Sequence, residues 1–535
     1  MKQGKPKEKP TTESKQTSPE SPSQNISSYC TYYKRKYEHF ILTLPIDFTI
    51  STLRNMKRIL LAALLVLVAT AYAGAKISLP SLISDNMVLQ QKSNVKIWGW
   101  SDPGSTITIS TTWSRREYTT ISGPDGKWST YIKTPGCRSG QTMRILSGSG
   151  REEITISNIL IGEVWLASGQ SNMEFEMKPH PADKWMTGMY EWEKEADNAG
   201  YPHIHLFKVE EDYNHDAPQE ECRGKWMVCS PDVAKNYSAI AFLFARELHT
   251  ALNRPVGVIL CAFGGTHAES WTRNTIMEND SLYSKVYSSY APDTDVCKKY
   301  PHKVPAAIWN AMVNPIVGYT VKGNIWYQAE SNAWRAGDYP QIFVNMVNDW
   351  RSLWGQKRLP FYYMQVAPFG TMPGIIREKQ ALVWEEKMLL DIGMATAIDV
   401  GDSLDIHPKD KVTPAHRLAL WALAKEYGKN VEYCGPQFKK FTVKGTKAII
   451  GFKNGKGLYI LGPNGQKGSS GAAYIHIAGP DGVFYPAHSS IKGNRLILWH
   501  PNVNAPTSVK YCTEDYCKGN IYNGHNLPAY PFRKE

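Results

Sequence analysis

The sequence predicts a mixed α/β protein with β-rich segments on both sides. Three observations predict it. Between about residues 159 and 430, apolar runs of strand length alternate with helical patterns. Before that stretch, from 76 to 158, and after it, from 431 to 535, short alternating runs are separated by turn residues instead. Finally, three of the central apolar runs pass directly into small or polar residues, and open α/β sheets place their sites at such strand ends.

The first element is a leader. Met56-Lys57-Arg58 precedes the apolar run Ile59 to Ala69, and Ala71-Tyr72-Ala73 follows. A positive start, a short apolar core and a small-x-small end make 56–75 a secretory signal peptide. The core is short for a membrane span. We therefore expect an exported protein, periplasmic or extracellular, with no membrane attachment after cleavage. Residues 1–55 show no sustained period. We expect translation to begin at Met56, with 1–55 an artefact of start-site assignment or else a disordered leader.

Of the net charge of +12, residues 1–75 supply half, with 11 Lys+Arg against 5 Asp+Glu. The remaining +6 is modest for a chain of this length and is not gathered into a basic block, so nucleic-acid binding is not indicated. Eight cysteines follow the leader. Cys222/Cys229 and Cys512/Cys517 are the local disulfide candidates, with buried thiols the alternative. No Cys-x-x-Cys pair comes with a matching His set, so a zinc site is not predicted.

From Lys76 to Asn158, Val95–Trp100, Thr106–Ile109, Thr130–Ile132 and Met143–Leu146 read as strands of a β-sandwich. In the central region Ile159–Ala167, Val256–Phe263, Asn324–Tyr327, Phe361–Val366 and Met394–Val400 read as buried strands. Ile240–His249 and Pro414–Ala424 read as helices. The C-terminal part, 431–535, reads as a second β domain with strands near 448–452, 458–461, 474–477 and 495–499.

The strand Ile159–Ala167 breaks at Ser168-Gly169 and restarts as Gln170-Ser171-Asn172-Met173. A strand that turns at glycine into a helix lifts one side chain above the sheet, where a nucleophilic serine is wanted. Backbone N–H groups at the new helix start would face a developing negative charge. Gly-x-Ser-x-Gly, the elbow of another serine-hydrolase class, does not occur around Ser171. A serine nucleophile needs a base, and His407 in Gly401-Asp402-Ser403-Leu404-Asp405-Ile406-His407-Pro408 is the strongest candidate, just beyond a strand. Asp405 and Asp402 are both near enough in sequence to orient it.

Gly169-Gln170-Ser171-Asn172-Met173, Gly264-Gly265-Thr266, Trp326 to Ala333, Trp350-Arg351 and Asp405-Ile406-His407-Pro408 occur in that order. Together they resemble the successive blocks of the sialate O-acetylesterase family, within the SGNH hydrolases. The likeness runs from about 78 to 533. It implies a flavodoxin-like three-layer core and an esterase that removes acetyl groups from a sugar, most simply sialic acid, without metal or cofactor. Ser171 would be the nucleophile and His407 the base. The oxyanion hole would combine the Ser171 N–H, an N–H of Gly264 or Gly265 and the side-chain amide of Gln328. Two positions depart from the family pattern. Ala329 stands where Gly is usual, and Leu404 stands where the superfamily places its Asp, which leaves Asp405 as the preferred partner of His407. Asn172, Glu330, Arg273 and Arg335 are the candidate sugar contacts, and Glu330 and Glu269 read as hydrogen-bonding scaffolds of the site loops rather than as a glycosidase carboxylate pair. Two alternatives remain open: an esterase of acetylated polysaccharide such as xylan, and an inert carbohydrate-binding protein.

Overall fold

The computed structural model describes residues 54–60, 76–148, 152–182, 184–290 and 294–535. The leader 1–55 and the signal segment 56–75 lie outside them, apart from a short helical stretch at 54–60. Residues 75–535 form one compact unit. Among the described residues no helix is long and apolar enough to cross a membrane.

The chain enters this unit through β1 (Val88–Gln90), β2 (Asn94–Trp100), β3 (Thr106–Thr111), β4 (Ser114–Ile121), β5 (Lys127–Lys133) and β6 (Arg138–Ser147). It then runs into β7, an 18-residue strand from Glu152 to Gly169. The first half of β7 is half-exposed and pairs antiparallel with β6; its second half is wholly buried. That burial follows from composition: Ile159 to Ala167 is largely apolar on both faces, with Glu163 its one ionisable residue, as a strand covered on both sides must be.

The buried half of β7 is the centre of the main sheet. β8 (Ile204–Val209), β9 (Gly224–Val228), β10 (Val256–Ala262), β11 (Gly323–Tyr327), β12 (Phe361–Gln365) and β13 (Ile392–Thr396) complete it in the order β13-β12-β11-β7-β10-β8-β9. All these pairs are parallel except β8–β9. The helices Ala239–Leu252, Tyr339–Leu353, Ile375–Glu385 and Val412–Lys425 bury apolar residues against the sheet. The chain builds outward from β7 to β10 and β8 on one side and to β11 and β12 on the other. The carboxyl end of β7 is therefore the point where strand order reverses, and such crevices are where open α/β sheets bind ligands. β13 stops at Thr396, short of the predicted Val400, because Thr396 Oγ turns to Gln365 Oε1 (2.6 Å) and the chain then turns at Ala397–Val400.

The C-terminal segment forms separate small sheets, including one built from Gln437–Lys444, Lys447–Lys453, Arg495–Trp499 and His488–Lys492. It has its own apolar core around Ile450, Leu496, Val509 and Ile521. All eight described cysteines are thiols. Of the proposed disulfide pairs, Cys222 and Cys229 are buried singly, Cys222 beside Ser81 Oγ and Cys229 against the Ala199 carbonyl. Cys512 and Cys517 are neighbours, with the Arg377 guanidinium 3.6 Å from Cys517 Sγ.

Candidate active site

The end of β7 is shaped by Gly169. Its φ is +140°, and a Cβ there would stand 2.1 Å from the Tyr327 carbonyl oxygen, so only glycine fits against β11. Gln170 N–H continues the pairing to Tyr327 O (2.9 Å), and the chain then coils into a single helical turn, Ser171–Glu174. This lifts Ser171 to the floor of a cavity of about 400 Å³, with Gly264 and Gly265 on one wall and Trp185, Trp334 and His407 on others.

His407 Nε2 lies 2.9 Å from Ser171 Oγ, a hydrogen bond between residues 236 positions apart. The imidazole packs beside Trp185, ring centroids 4.8 Å apart. Its loop is held from two sides. The Asp405 carboxylate accepts the His407 backbone N–H (2.8 Å) and stands 3.5 Å from Nδ1. The Ile406 carbonyl accepts from Asn172 Nδ2 (3.1 Å). Asp402 instead accepts the Leu404 N–H. Burial, then the positive charge of Lys411, pushes the His407 pKa down to about 3, so its resting form is the neutral base.

Lys411 was not singled out from sequence. It is fully buried and donates from Nζ to Asn172 Oδ1 (2.7 Å), while Asn172 Nδ2 donates to Glu330 Oε1 (2.7 Å). An ammonium and a carboxylate are thus joined through one amide directly behind the serine turn. Burial lowers the Lys411 pKa to about 7 against the pull of Glu330, Asp405 and Asp410. Burial also raises the Glu330 carboxyl. Nothing in the sequence separates Lys411 from Lys409 two residues earlier; only the fold does.

Residues 161–419 match the model of a protein family described as carbohydrate esterase, sialic acid-specific acetylesterase. Sialate O-acetylesterase of Mus musculus is 28% identical over 443 residues, covering 71% of this chain and 79% of the mouse protein. The Homo sapiens sialate O-acetylesterase is 27% identical over 433 residues, covering 72% and 78%. Among solved structures, a carbohydrate acetylesterase from Xanthomonas citri superposes with a TM-score of 0.74 at 29% identity, covering 86% of this chain and all of that one. The chain resembles the sialate O-acetylesterase family over most of its length. It is a carboxylic ester hydrolase.

Ser171, His407, Asp405, Gly264 and Gly265 therefore come together in the esterase as the sequence suggested, and Glu330 lines the same cavity. At Gly264 a Cβ would approach Glu174 Oε2 to 3.0 Å and Ser171 Cβ to 3.4 Å, so a larger residue there would push on the Glu174 side chain beside the serine turn.

Gln328 is a correction. Its Nε2 donates to Thr266 O (3.1 Å) and to Asn332 Oδ1 (2.8 Å), and it is fully buried. The orientation is fixed from outside, because Asn332 Oδ1 also accepts the Ala268 N–H, which can only donate. Both amide protons are committed away from the cavity, and the free atom, Oε1, is an acceptor that offers nothing to an oxyanion.

Three of the candidate sugar contacts are corrected as well. Asn172 is buried, with both its amide atoms used in the Lys411–Glu330 bridge. Arg273 grips Asp349 (Nε to Oδ2, 2.9 Å) and packs over Trp309. Arg335 pairs with the fully buried Glu269 (2.7 Å), and neither arginine lines the cavity. Scaffold arginines of this kind follow a buried carboxylate that needs a counter-charge, which a sequence does not display. Among the described residues, carboxyls line the cavity at Glu174, Glu211 and Glu330 and no Lys or Arg does. Burial, then the neighbouring Glu211 carboxyl, holds the Glu174 pKa well above the usual range.

Proposed function

We propose that this chain is an exported serine esterase of SGNH type that removes O-acetyl groups from sialic acid through an acetyl-enzyme. The observation that carries the reading is the 2.9 Å contact between His407 Nε2 and Ser171 Oγ at the end of β7. Ser171 Oγ attacks the acetyl carbonyl as its proton passes to His407 Nε2. The tetrahedral intermediate collapses, the sugar oxygen takes that proton and leaves, and the acetyl group stays on Ser171. Water then gives a proton to Nε2 and attacks the acetyl-enzyme, and the proton returns to Oγ as acetate departs. The Ser171 N–H with that of Gly264 or Gly265 serves the oxyanion, two backbone donors in place of the three expected. In this reading 76–158 and 431–535 are β domains flanking a catalytic domain at 159–430, and 56–75 directs export.

A second reading, an esterase of neutral acetylated polysaccharide, is favoured by one observation. The cavity is lined by carboxyls and lacks a cation for a sugar acid. Under the sialate reading the ester enters and the acid group stays outside.

Ser171→Ala should abolish turnover of p-nitrophenyl acetate with the fold intact, since a hydroxyl at a cavity floor adds little to stability. Activity near the wild-type level would end the serine assignment. Acetate release from O-acetylated mucin sialate, compared with acetylated xylan, separates the two substrates.

A further inference from the structure

A second cleft lies on the β2–β5 ribbon. β2 alternates cleanly: Val95, Ile97 and Gly99 are buried, while Lys96, Trp98 and Trp100 stand half-buried on the other face. On β5, Ser129 lies opposite Trp98 and Lys127 opposite Trp100, so they share that face. Facing them, Glu220 and the Asn314-Pro315 turn close a cavity of about 370 Å³, within the range of small-ligand sites. On this outer face Trp98 meets Tyr319 edge-on (ring centroids 6.3 Å), and both tryptophans remain half-buried beside the cavity.

The polar groups are unevenly satisfied. Lys127 is ion-paired with Glu220, which also accepts from Trp100 Nε1 (3.3 Å). Lys96 has no carboxylate partner among the described residues. Its ammonium sits 5.5 Å from the Trp98 ring centre, and burial alone pulls its pKa down. A desolvated cation without a counter-charge favours an incoming anion, and indole rings offer a flat apolar surface to the C–H face of a pyranose.

We propose that this cleft is a non-catalytic subsite for a carboxylated sugar residue, held by Lys96 at its acid group and by Trp98 and Trp100 at its ring. The esterase cavity offers such an acid group no cation, and this cleft does. The proposal does not depend on which ester is cleaved, or on Ser171 being the nucleophile.

The test is equilibrium binding by the full chain of three probes: the methyl glycoside of N-acetylneuraminic acid, methyl glucuronide and methyl galactoside. Wild type is compared with Lys96→Met, which keeps the side-chain volume, and with Trp100→Ala. p-Nitrophenyl acetate turnover serves as the control for folding, because neither residue belongs to the catalytic machinery. At least one acidic probe should bind, with affinity falling ~10-fold or more in both variants and turnover held; which acid binds names the sugar. Absence of binding by both acidic probes would overturn the proposal. So would acidic-probe affinity that both variants retain, or a galactoside bound as tightly as the acids.

Discussion

Replacing Asp405 by Asn removes one charge and little else. The amide oxygen can still accept the His407 backbone N–H, so the loop keeps its tether. What is lost is a negative charge 3.5 Å from Nδ1 at the moment the imidazole becomes positive. Coulomb's law at that distance gives roughly 1 kcal/mol in a water-like medium and about 5 kcal/mol at the effective dielectric constant of ~20 that suits protein interiors. The Asp405 side chain is 33% exposed, which places the site between these limits. At about 1.4 kcal/mol per factor of ten, the kcat loss is expected near 10²-fold. That is well short of the ~10⁴-fold loss in triads where the carboxylate bonds Nδ1 directly. Asp402→Asn should stay close to wild type, because that carboxylate only caps the Leu404 N–H. Single-turnover acetylation with p-nitrophenyl acetate reads both. Wild-type rates for Asp405→Asn, or a larger loss for Asp402→Asn, would refute the assignment and leave a Ser–His dyad.

Four further outcomes follow from the structure. His407 is neutral above its lowered pKa of about 3, so the acid limb of kcat/KM should lie far below pH 6.5; a limb near 6.5 would contradict the burial of the ring. The unfolded chain binds that proton at the ordinary histidine pKa and the folded one does not, so His407 should make stability fall as pH drops from about 6.5 toward 3, measurable by denaturant titration across that window. Lys411→Met should move the acid limb to higher pH by removing a positive charge beside His407, whereas an equal loss at every pH would reduce Lys411 to a structural role. Ala329, at φ +150°, sits where glycine is at ease, so Ala329→Gly should raise stability by about 1 kcal/mol in thermal unfolding, and a lower Tm would show that the turn tolerates its Cβ.

How much was legible from sequence varies with the kind of signal. The strand, the glycine break and Ser171 were readable because each rests on a local constraint: both-sided burial of β7, and a backbone position at Gly169 that no side chain can share with β11. His407 was readable because β13 ends just before it and the loop returns to the same sheet edge. The start of β7 was set too late, since its first half alternates as an antiparallel edge while the second is continuous, and the two patterns do not look like one strand. Gln328 misled because its place directly after β11 suits an oxyanion donor, while its commitment to Thr266 and Asn332 depends on a turn 62 residues away. Arg273 and Arg335 misled in the same way: proximity to a motif says nothing about which buried carboxylate claims the guanidinium.

The charges around His407 pull against each other. A base with a pKa near 3 is a poor proton acceptor for a serine hydroxyl, since transfer is most efficient when the base is matched to the working pH. Lys411 contributes to that weakness from one side, and its own charge is balanced through Asn172 by Glu330. Two negative charges act in the other direction. Asp405 stands 3.5 Å from Nδ1, and in the proposed mechanism the oxyanion forms only as the ester is attacked. In the proposed serine mechanism the low resting pKa keeps Ser171 paired with a neutral imidazole, and the transition state brings in the negative charge that stabilises the imidazolium. This division explains why removing Lys411 should shift the pH limb, whereas removing the Asp405 charge should lower the rate of the chemical step.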